Sequence, residues 1–375
     1  MSRPFTQYEP TTVALEELEG SGNESLRVLV VRMSAMGDVI HAIPAITALR
    51  TARPNWKVGW LIEQRWMELL CAHADERLQP RSELKPLVDW THLSDFKEWK
   101  KGLSSTATWR DMGGCMREIR AIKYQVALDL QGTIRSAMAG RLSGAKTRIG
   151  SAEPREAPAR RFYTQRVSVD GNHVVEHALS LASFAAGEVM GFAEPSFPRD
   201  DVTEAWADTF CASIGFAPLA IVNPGAGWGA KCWPAKSYGI VAKALASRGM
   251  SVIVNYGPGE EALATDVCLS SDEIARPMKY SITQLIALTR RASLFVGGDT
   301  GPMHLAAALN VPVVALFGPT RPERNGPYTT RSVILRSPAS KDNSSHTDEP
   351  DAGLQSIKHD EVIAAVDSLL KEPND

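Results

Sequence analysis

An α/β protein built from two parallel-sheet halves is the fold this sequence predicts, and three observations predict it. Short β-branched runs alternate with apolar residues at helical spacing along most of the chain. The alternation comes in two series, separated by a stretch rich in Pro, Asp and Gly around Glu194 to Asp201. The length of 375 residues exceeds one ordinary core, and suits two domains of roughly 150 to 200 residues each.

Leu26 to Arg32 (LRVLVVR) is nearly uninterrupted and β-branched, as a strand buried on both faces must be. A turn follows, then Val39, Ile43, Ile46 and Leu49 mark a helix that the Arg53-Pro54 pair stops. Further strands are expected at Lys57 to Ile62, Leu87 to Leu93 and Tyr124 to Leu130, with helices around Asp111 to Ile122 and Thr133 to Leu142. The second series places strands at Leu219 to Val222, Ser251 to Asn255, Leu294 to Gly297 and Val311 to Phe317. Its helices fall near Ala235 to Ser247, Glu260 to Leu269, Ile282 to Arg290 and Met303 to Leu309. Residues 1–25 are read as a tail, 26–200 as the first domain, 201–217 as a linker and 218–355 as the second domain. The polar stretch 337–351 reads as a loop, and Ile357, Val362, Val366, Leu369 and Leu370 make one apolar stripe on a closing helix within 356–375.

Composition removes several classes. With 44% hydrophobic and 22% charged residues the chain is ordinary and globular. A net charge of −2 gives no general pull toward polyanions, so nucleic acid is not expected as a partner. Five scattered cysteines, none in a C-x-x-C pair, suit a reducing cytoplasm and neither a disulfide framework nor a zinc ribbon. The first 25 residues have neither the basic start nor the apolar run of a signal peptide.

Three segments could carry chemistry, each between a strand and a helix, where open α/β sheets place ligands. In Ser34-Ala35-Met36-Gly37-Asp38-Val39-Ile40-His41, Asp38 sits at a helix start. It is either a cap for free backbone N–H groups or a carboxylate ready to take a proton from a hydroxyl. In Val296-Gly297-Gly298-Asp299-Thr300-Gly301-Pro302-Met303-His304, the glycines permit close approach and Asp299 or Thr300 can cap. Pro302 fits the first helical turn, so free N–H groups could receive a diphosphate, the bland alternative being a well-capped turn. In Asn223 to Pro234 a glycine-rich loop carries Lys231, a point charge suited to a leaving phosphate or else a solvated surface lysine. Glu260 and Glu261 could hold a ribose or simply lie exposed in a first helical turn.

A basic series, Arg135, Arg141, Lys146, Arg148, Arg155, Arg160, Arg161 and Arg166, would suit an anionic acceptor or a phospholipid surface. Three patterns mislead. His173-Val174-Val175-Glu176-His177 has the H-x-x-E-H zinc spacing without an evident third ligand. Gly140 to Thr147 nearly spells a P-loop, but Ala145 replaces the second glycine and a helix precedes it. The double-glycine turns are not the G-x-G-x-x-G fingerprint of a dinucleotide site.

Together the segments RVLVVRMSAMGDVIHAIPAITALR, ALDLQGTIRSAMAGRLSGAKTRIG, NPGAGWGAKCWP and FVGGDTGPMHLAAALNVPVVALFGPT resemble the ADP-heptose:lipopolysaccharide heptosyltransferases, glycosyltransferase family 9. The resemblance runs from Leu26 to Leu370 and is nearest to the branch adding the first heptose. It implies a GT-B architecture, two Rossmann-like domains facing a cleft, with the closing helix packing back on the first domain. It implies an inverting transfer of heptose to a lipid A–Kdo acceptor, with Asp38 as general base and Lys231 neutralising the departing diphosphate. On the donor side it places Ala226, Gly227, Glu260, Asp299, Thr300, Gly301 and His304; on the acceptor side Met36, Gly37, His41, Arg65, Gln131, Arg135 and Arg155. No cofactor or metal is expected, consistent with the lack of a D-x-D motif. The expected partners are the nucleotide sugar and the lipid acceptor at the inner face of the membrane, for a monomeric cytoplasmic chain. The alternatives are a relative using another nucleotide sugar or acceptor, and a non-hydrolysing sugar-nucleotide epimerase. Ala226 and Gly227 depart from the hydroxyl residues that relatives often present there.

Overall fold

The computed structural model describes residues 25–102, 104–215, 217–342 and 349–371. The tail expected at 1–25 (save Ser25) and positions 343–348 of the expected loop lie outside the described residues. The chain divides into two compact units, one holding Ala42–Gly171 and Val175–Ser196 with the chain up to Ser34, the other Ala35–His41, Asn172–Val174 and Phe197 onward.

The first unit runs through β1 (Arg27–Val31), α1 (Met36–Ala52), β2 (Lys57–Glu63), β3 (Trp90–Ser94), α2 (Phe96–Lys101), α3 (Thr106–Ile122), β4 (Val126–Asp129), α4 (Ile134–Leu142), β5 (Thr147–Ser151), β6 (Gln165–Val167) and α5 (Val174–Ala186). Its six strands are ordered β3-β2-β1-β4-β5-β6, every neighbouring pair parallel. This is the doubly wound Rossmann order, which reverses direction between β1 and β4. Val28, Leu29, Val30 and Val31 are fully buried, which is why β1 has no polar alternation. At the reversal, Asp129 accepts from the Gln131 and Gly132 N–H groups, the Ser136 hydroxyl and the Tyr163 phenol. Gln131 in turn accepts from the Met33 N–H at 2.8 Å, so one turn binds the ends of both strands.

The second unit contains α6 (Asp201–Ser213), β7 (Leu219–Asn223), α7 (Ala235–Ser247), β8 (Ser251–Asn255), α8 (Glu261–Ser270), β9 (Arg276–Met278), α9 (Ile282–Thr289), β10 (Ala292–Gly298), α10 (Gly301–Ala308), β11 (Val313–Phe317), α11 (Pro322–Asn325), β12 (Ser332–Arg336), α12 (Ala352–Ser356) and α13 (His359–Lys371). Its order is β12-β11-β10-β7-β8-β9, again all parallel. Taken from β7 it is the same winding as the first sheet, with the reversal between β7 and β10.

Two expectations are corrected. Residues 201–217 are not a bare linker: Asp200 caps α6 by accepting from the Thr203 N–H at 3.0 Å. Trp206 and Phe210 of α6 pack with Tyr280, and Glu204 takes Arg290 and Arg291, so the helix belongs to the second core. The closing helix does not use its stripe on the first domain. Val362, Ala365, Val366 and Leu369 bury among Tyr238, Val241 and Leu245 of α7 and residues of the second sheet. Arg248 forks Asp367 and Arg331 holds the Leu369 carbonyl, fixing α13 to that unit.

Candidate active site

The second sheet's strands end in polar residues at the point where its order reverses. Asn255, ending β8, donates to Asn223 Oδ1 at 2.6 Å; Asn223, ending β7, donates to the Gly225 carbonyl at 3.0 Å and reaches Thr300 Oγ1 at 3.4 Å. Both asparagines are buried. This chain of amides spans three successive loops, and sequence reasoning missed it. The signal was present: LAIVN and SVIVN are both buried apolar runs closed by asparagine.

Lys231, from the glycine-rich loop, lies 2.5 Å from Asp299 Oδ2 and donates to the Asp299 carbonyl at 3.2 Å. Its ammonium also stands 4.4 Å from the Trp228 ring centroid, a cation–π contact. The other Asp299 oxygen meets His304 Nε2 at 3.0 Å. Burial opposes ionisation of Asp299, but His304 and Lys231 outweigh it and hold the carboxyl well below the usual carboxylate range. With side-chain exposures of 11% for Lys231 and 4% for Asp299, this pair is not a solvated surface bridge. Asp299 is therefore not the cap: it anchors the lysine and the imidazole. Thr300 takes the N-cap position of α10 with its hydroxyl turned back to the Gly298 carbonyl, and Pro302 sits in the first turn as expected. His304 Nδ1 has no hydrogen-bond partner among the described residues.

The start of α1 groups with this same unit. A Cβ on Gly37 would collide with the His304 imidazole, and one on Gly301 would collide with Met36. Two glycines thus let the first turns of α1 and α10 meet, each glycine taking a side chain of the other helix against its backbone. Asp38 is the third residue of α1, and its Oδ2 accepts from the Ala35 N–H at 3.1 Å, half of a capping box. Asp38 is thus a capping carboxylate at a strand-to-helix turn beside the α10 loop.

His41, expected on the acceptor side, is only 6% exposed, its ring centroid 4.2 Å from His304 and 5.3 Å from His173. It packs and orients rather than facing outward. His173 Nε2 donates to the Gly326 carbonyl and its ring lies 4.6 Å from Tyr328, while His177 Nε2 meets the Gly171 carbonyl. The zinc-like spacing thus serves backbone carbonyls. Glu260 accepts from the Gly257 N–H at 2.7 Å with its carboxylate against Gly225, joining the β8 loop to the lysine loop. Ala226 is half-buried and Gly227 exposed, and a Cβ on Gly227 would meet nothing within 4 Å.

In the first unit, Gln131, expected on the acceptor side, is buried and its amide oxygen accepts from the Met33 N–H. Arg65, Arg135 and Arg155 are exposed. Arg65 pairs with Glu63 at 2.7 Å and lies over Trp66, and Arg135 lies over Phe96.

Two Rossmann-wound halves, each a parallel six-stranded sheet with helices, match the GT-B class of glycosyltransferases. Residues 112–352 match the family described as Glycosyltransferase family 9 (heptosyltransferase). Among curated relatives, lipopolysaccharide heptosyltransferase 1 of Pseudomonas aeruginosa is 30% identical over 317 residues, 83% of this chain and 84% of that one. Among solved structures, a family 9 glycosyl transferase from Veillonella parvula superposes with a TM-score of 0.77 at 21% identity, over 94% of this chain and 99% of that one. The E. coli heptosyltransferase WaaC with ADP-2-deoxy-2-fluoro heptose gives 0.69 at 24% identity, over 92% and 99%. The chain belongs to glycosyltransferase family 9, the heptosyltransferase family.

Proposed function

We propose that this protein transfers heptose from ADP-L-glycero-β-D-manno-heptose to the Kdo-lipid A inner core of lipopolysaccharide, as the first heptosyltransferase of that core. The observation that carries the reading is the contact of the α1 and α10 first turns through Gly37 and Gly301. It sets the turn bearing Asp38 beside the loop bearing the Asp299–Lys231 pair. Support for the first-heptose branch comes from the Pseudomonas relative named above.

In this reading Asp38 takes the proton of the acceptor hydroxyl as its oxygen attacks the anomeric carbon. The bond from that carbon to the β-phosphate oxygen breaks in the same displacement, so the configuration inverts and no covalent intermediate forms. ADP leaves toward Lys231 and the N–H groups opening α10, which stabilise the growing negative charge. Thr300, Gly301 and His304 lie at that helix start, and Glu260 is the residue for the ribose. Met36, Arg65, Arg135 and Arg155 are assigned to the acceptor. No divalent cation is needed for the leaving group, because the lysine and the helix terminus carry its charge. The lipid acceptor brings a monomeric enzyme to the inner face of the membrane, and no described helix is long and apolar enough to cross it.

The test is ADP release from a panel of nucleotide sugars, each with and without native inner-core lipid. ADP-heptose with acceptor should turn over. Asp38→Ala should lose roughly 10²-fold or more in turnover, with donor affinity retained. Normal turnover by that variant removes Asp38 from the mechanism. Conversion of donor without acceptor would favour the epimerase reading.

A further inference from the structure

Helix α4 has an outward arc of unusual composition. Along Ile134–Leu142 the exposed positions are Ile134, Arg135, Met138, Arg141 and Leu142, while Ser136, Ala137, Ala139 and Gly140 are buried. At 100° per residue the exposed set falls within about 120° of the helix circumference. Three apolar side chains stand in a row at i, i+4 and i+8, exposed by 37, 42 and 41%, with an arginine on either side. No acidic residue lies on the arc.

The surroundings continue the pattern. Arg120 from α3 binds the Leu142 carbonyl at 2.7 Å, adding a third exposed guanidinium at the end of the row. The 3₁₀ turn Ala157–Phe162 packs on α4 through Ala159 and Ala137 and presents Arg160 and Arg161 outward. Residues 133–166 carry eight arginines and lysines against two glutamates, in a chain whose net charge is −2. Of those glutamates, Glu156 is held by the Ile134 N–H at the helix start.

We infer that α4 is the face with which this protein rests on an anionic bilayer, Ile134, Met138 and Leu142 entering the headgroup boundary while Arg120, Arg135 and Arg141 meet phosphates. An exposed apolar row is a liability in water unless something covers it. A second copy of the same face would oppose arginine to arginine, whereas a phosphate-bearing lipid surface satisfies both the apolar row and the charge. The inference rests on the membrane part of the proposed function and deepens it by naming the surface.

The experiment is flotation of the purified full-length protein with vesicles, without sugar donor or acceptor, so that its failure is separable from a failure of the transferase reading. Vesicles of phosphatidylcholine with phosphatidylglycerol should carry the protein up the gradient. Phosphatidylcholine alone should not, and high salt should release it. Arg141→Gln should weaken binding about five-fold, and Met138→Glu should bring it to background, each with unchanged circular dichroism. Val202→Glu, an exposed apolar site on α6, should bind like the parent. Equal binding to both vesicles, no binding, or binding intact in Met138→Glu would overturn the proposal. So would a concentration-dependent dimer in sedimentation that Met138→Glu abolishes, since that outcome assigns the row to a second copy.

Discussion

Asp299 and Lys231 hold each other at 2.5 Å although 68 residues separate them in sequence. The second oxygen of the same carboxylate is taken by His304. The lysine that would meet a phosphate is thus already anchored, which limits the rotamer freedom lost when a diphosphate arrives.

The pairing predicts acid lability. The Asp299 carboxyl is held below its unfolded value, so its contribution is fully present above that value of about pH 4 and is lost as pH falls toward the lower folded one. Urea titrations from pH 7 down to pH 3 should show stability dropping below about pH 4, and Asp299→Asn should flatten that limb. At pH 7 the substitution leaves Lys231 without its counter-charge, a loss of about 3 kcal/mol or more. An unaltered acid limb in the variant would show that the pair contributes nothing.

Lys231→Ala should weaken donor binding and slow turnover together, because the charge it supplies is used in both states. Lys231→Arg should recover little, since the planar guanidinium does not match a site built around an ammonium over Trp228. Isothermal titration with ADP and steady-state rates separate the two effects.

The glycine contact between α1 and α10 leaves no slack. Gly37→Ala would drive a methyl into an imidazole that Asp299 and His41 already hold. We expect a cost of about 1–3 kcal/mol by chemical denaturation, and a fall in turnover from displacement of the Asp38 turn. Gly227→Ala is the control: with nothing near the added Cβ, its stability should change by less than about 0.5 kcal/mol.

Chelation should leave the rate unchanged if Lys231 and the α10 terminus neutralise the leaving diphosphate. Assays with EDTA, then with added magnesium or manganese, decide this. A rate that collapses and returns with either ion would overturn the metal-free reading.

Strands with a continuous apolar run were legible, β1, β7, β8 and β11 among them, because burial on both faces writes such a run. β5 (TRIGS) and the shorter β6 (QRV) and β9 (RPM) were not, since their composition gives no strand period, and β12 (SVILR) was missed although its centre is apolar. Helix α7 was placed with its limits intact because Pro234 precedes it and Arg248-Gly249 follows. Helix α6 was read as one helical stretch within a connection between domains, because the Pro-rich run ahead of it gave no sign that its apolar face joins the second core. At the site, Asp38, Lys231 and Asp299 were visible as strand-end residues. The Lys231–Asp299 pairing was not, because local pattern carries no information on which loops meet across a sheet. The destination of α13 was hidden for the same reason: a stripe announces that it docks, and only the partner surface says where.

That docking sets an order of assembly. The Trp233 indole, two residues beyond Lys231, donates to the Ile357 carbonyl at 3.0 Å, and α13 closes the cluster around it. A nascent chain therefore cannot complete the second unit until the segment through Leu369 has left the ribosome. The earlier half can mature first, and a premature stop before Ile357 should yield a product that proteases clear.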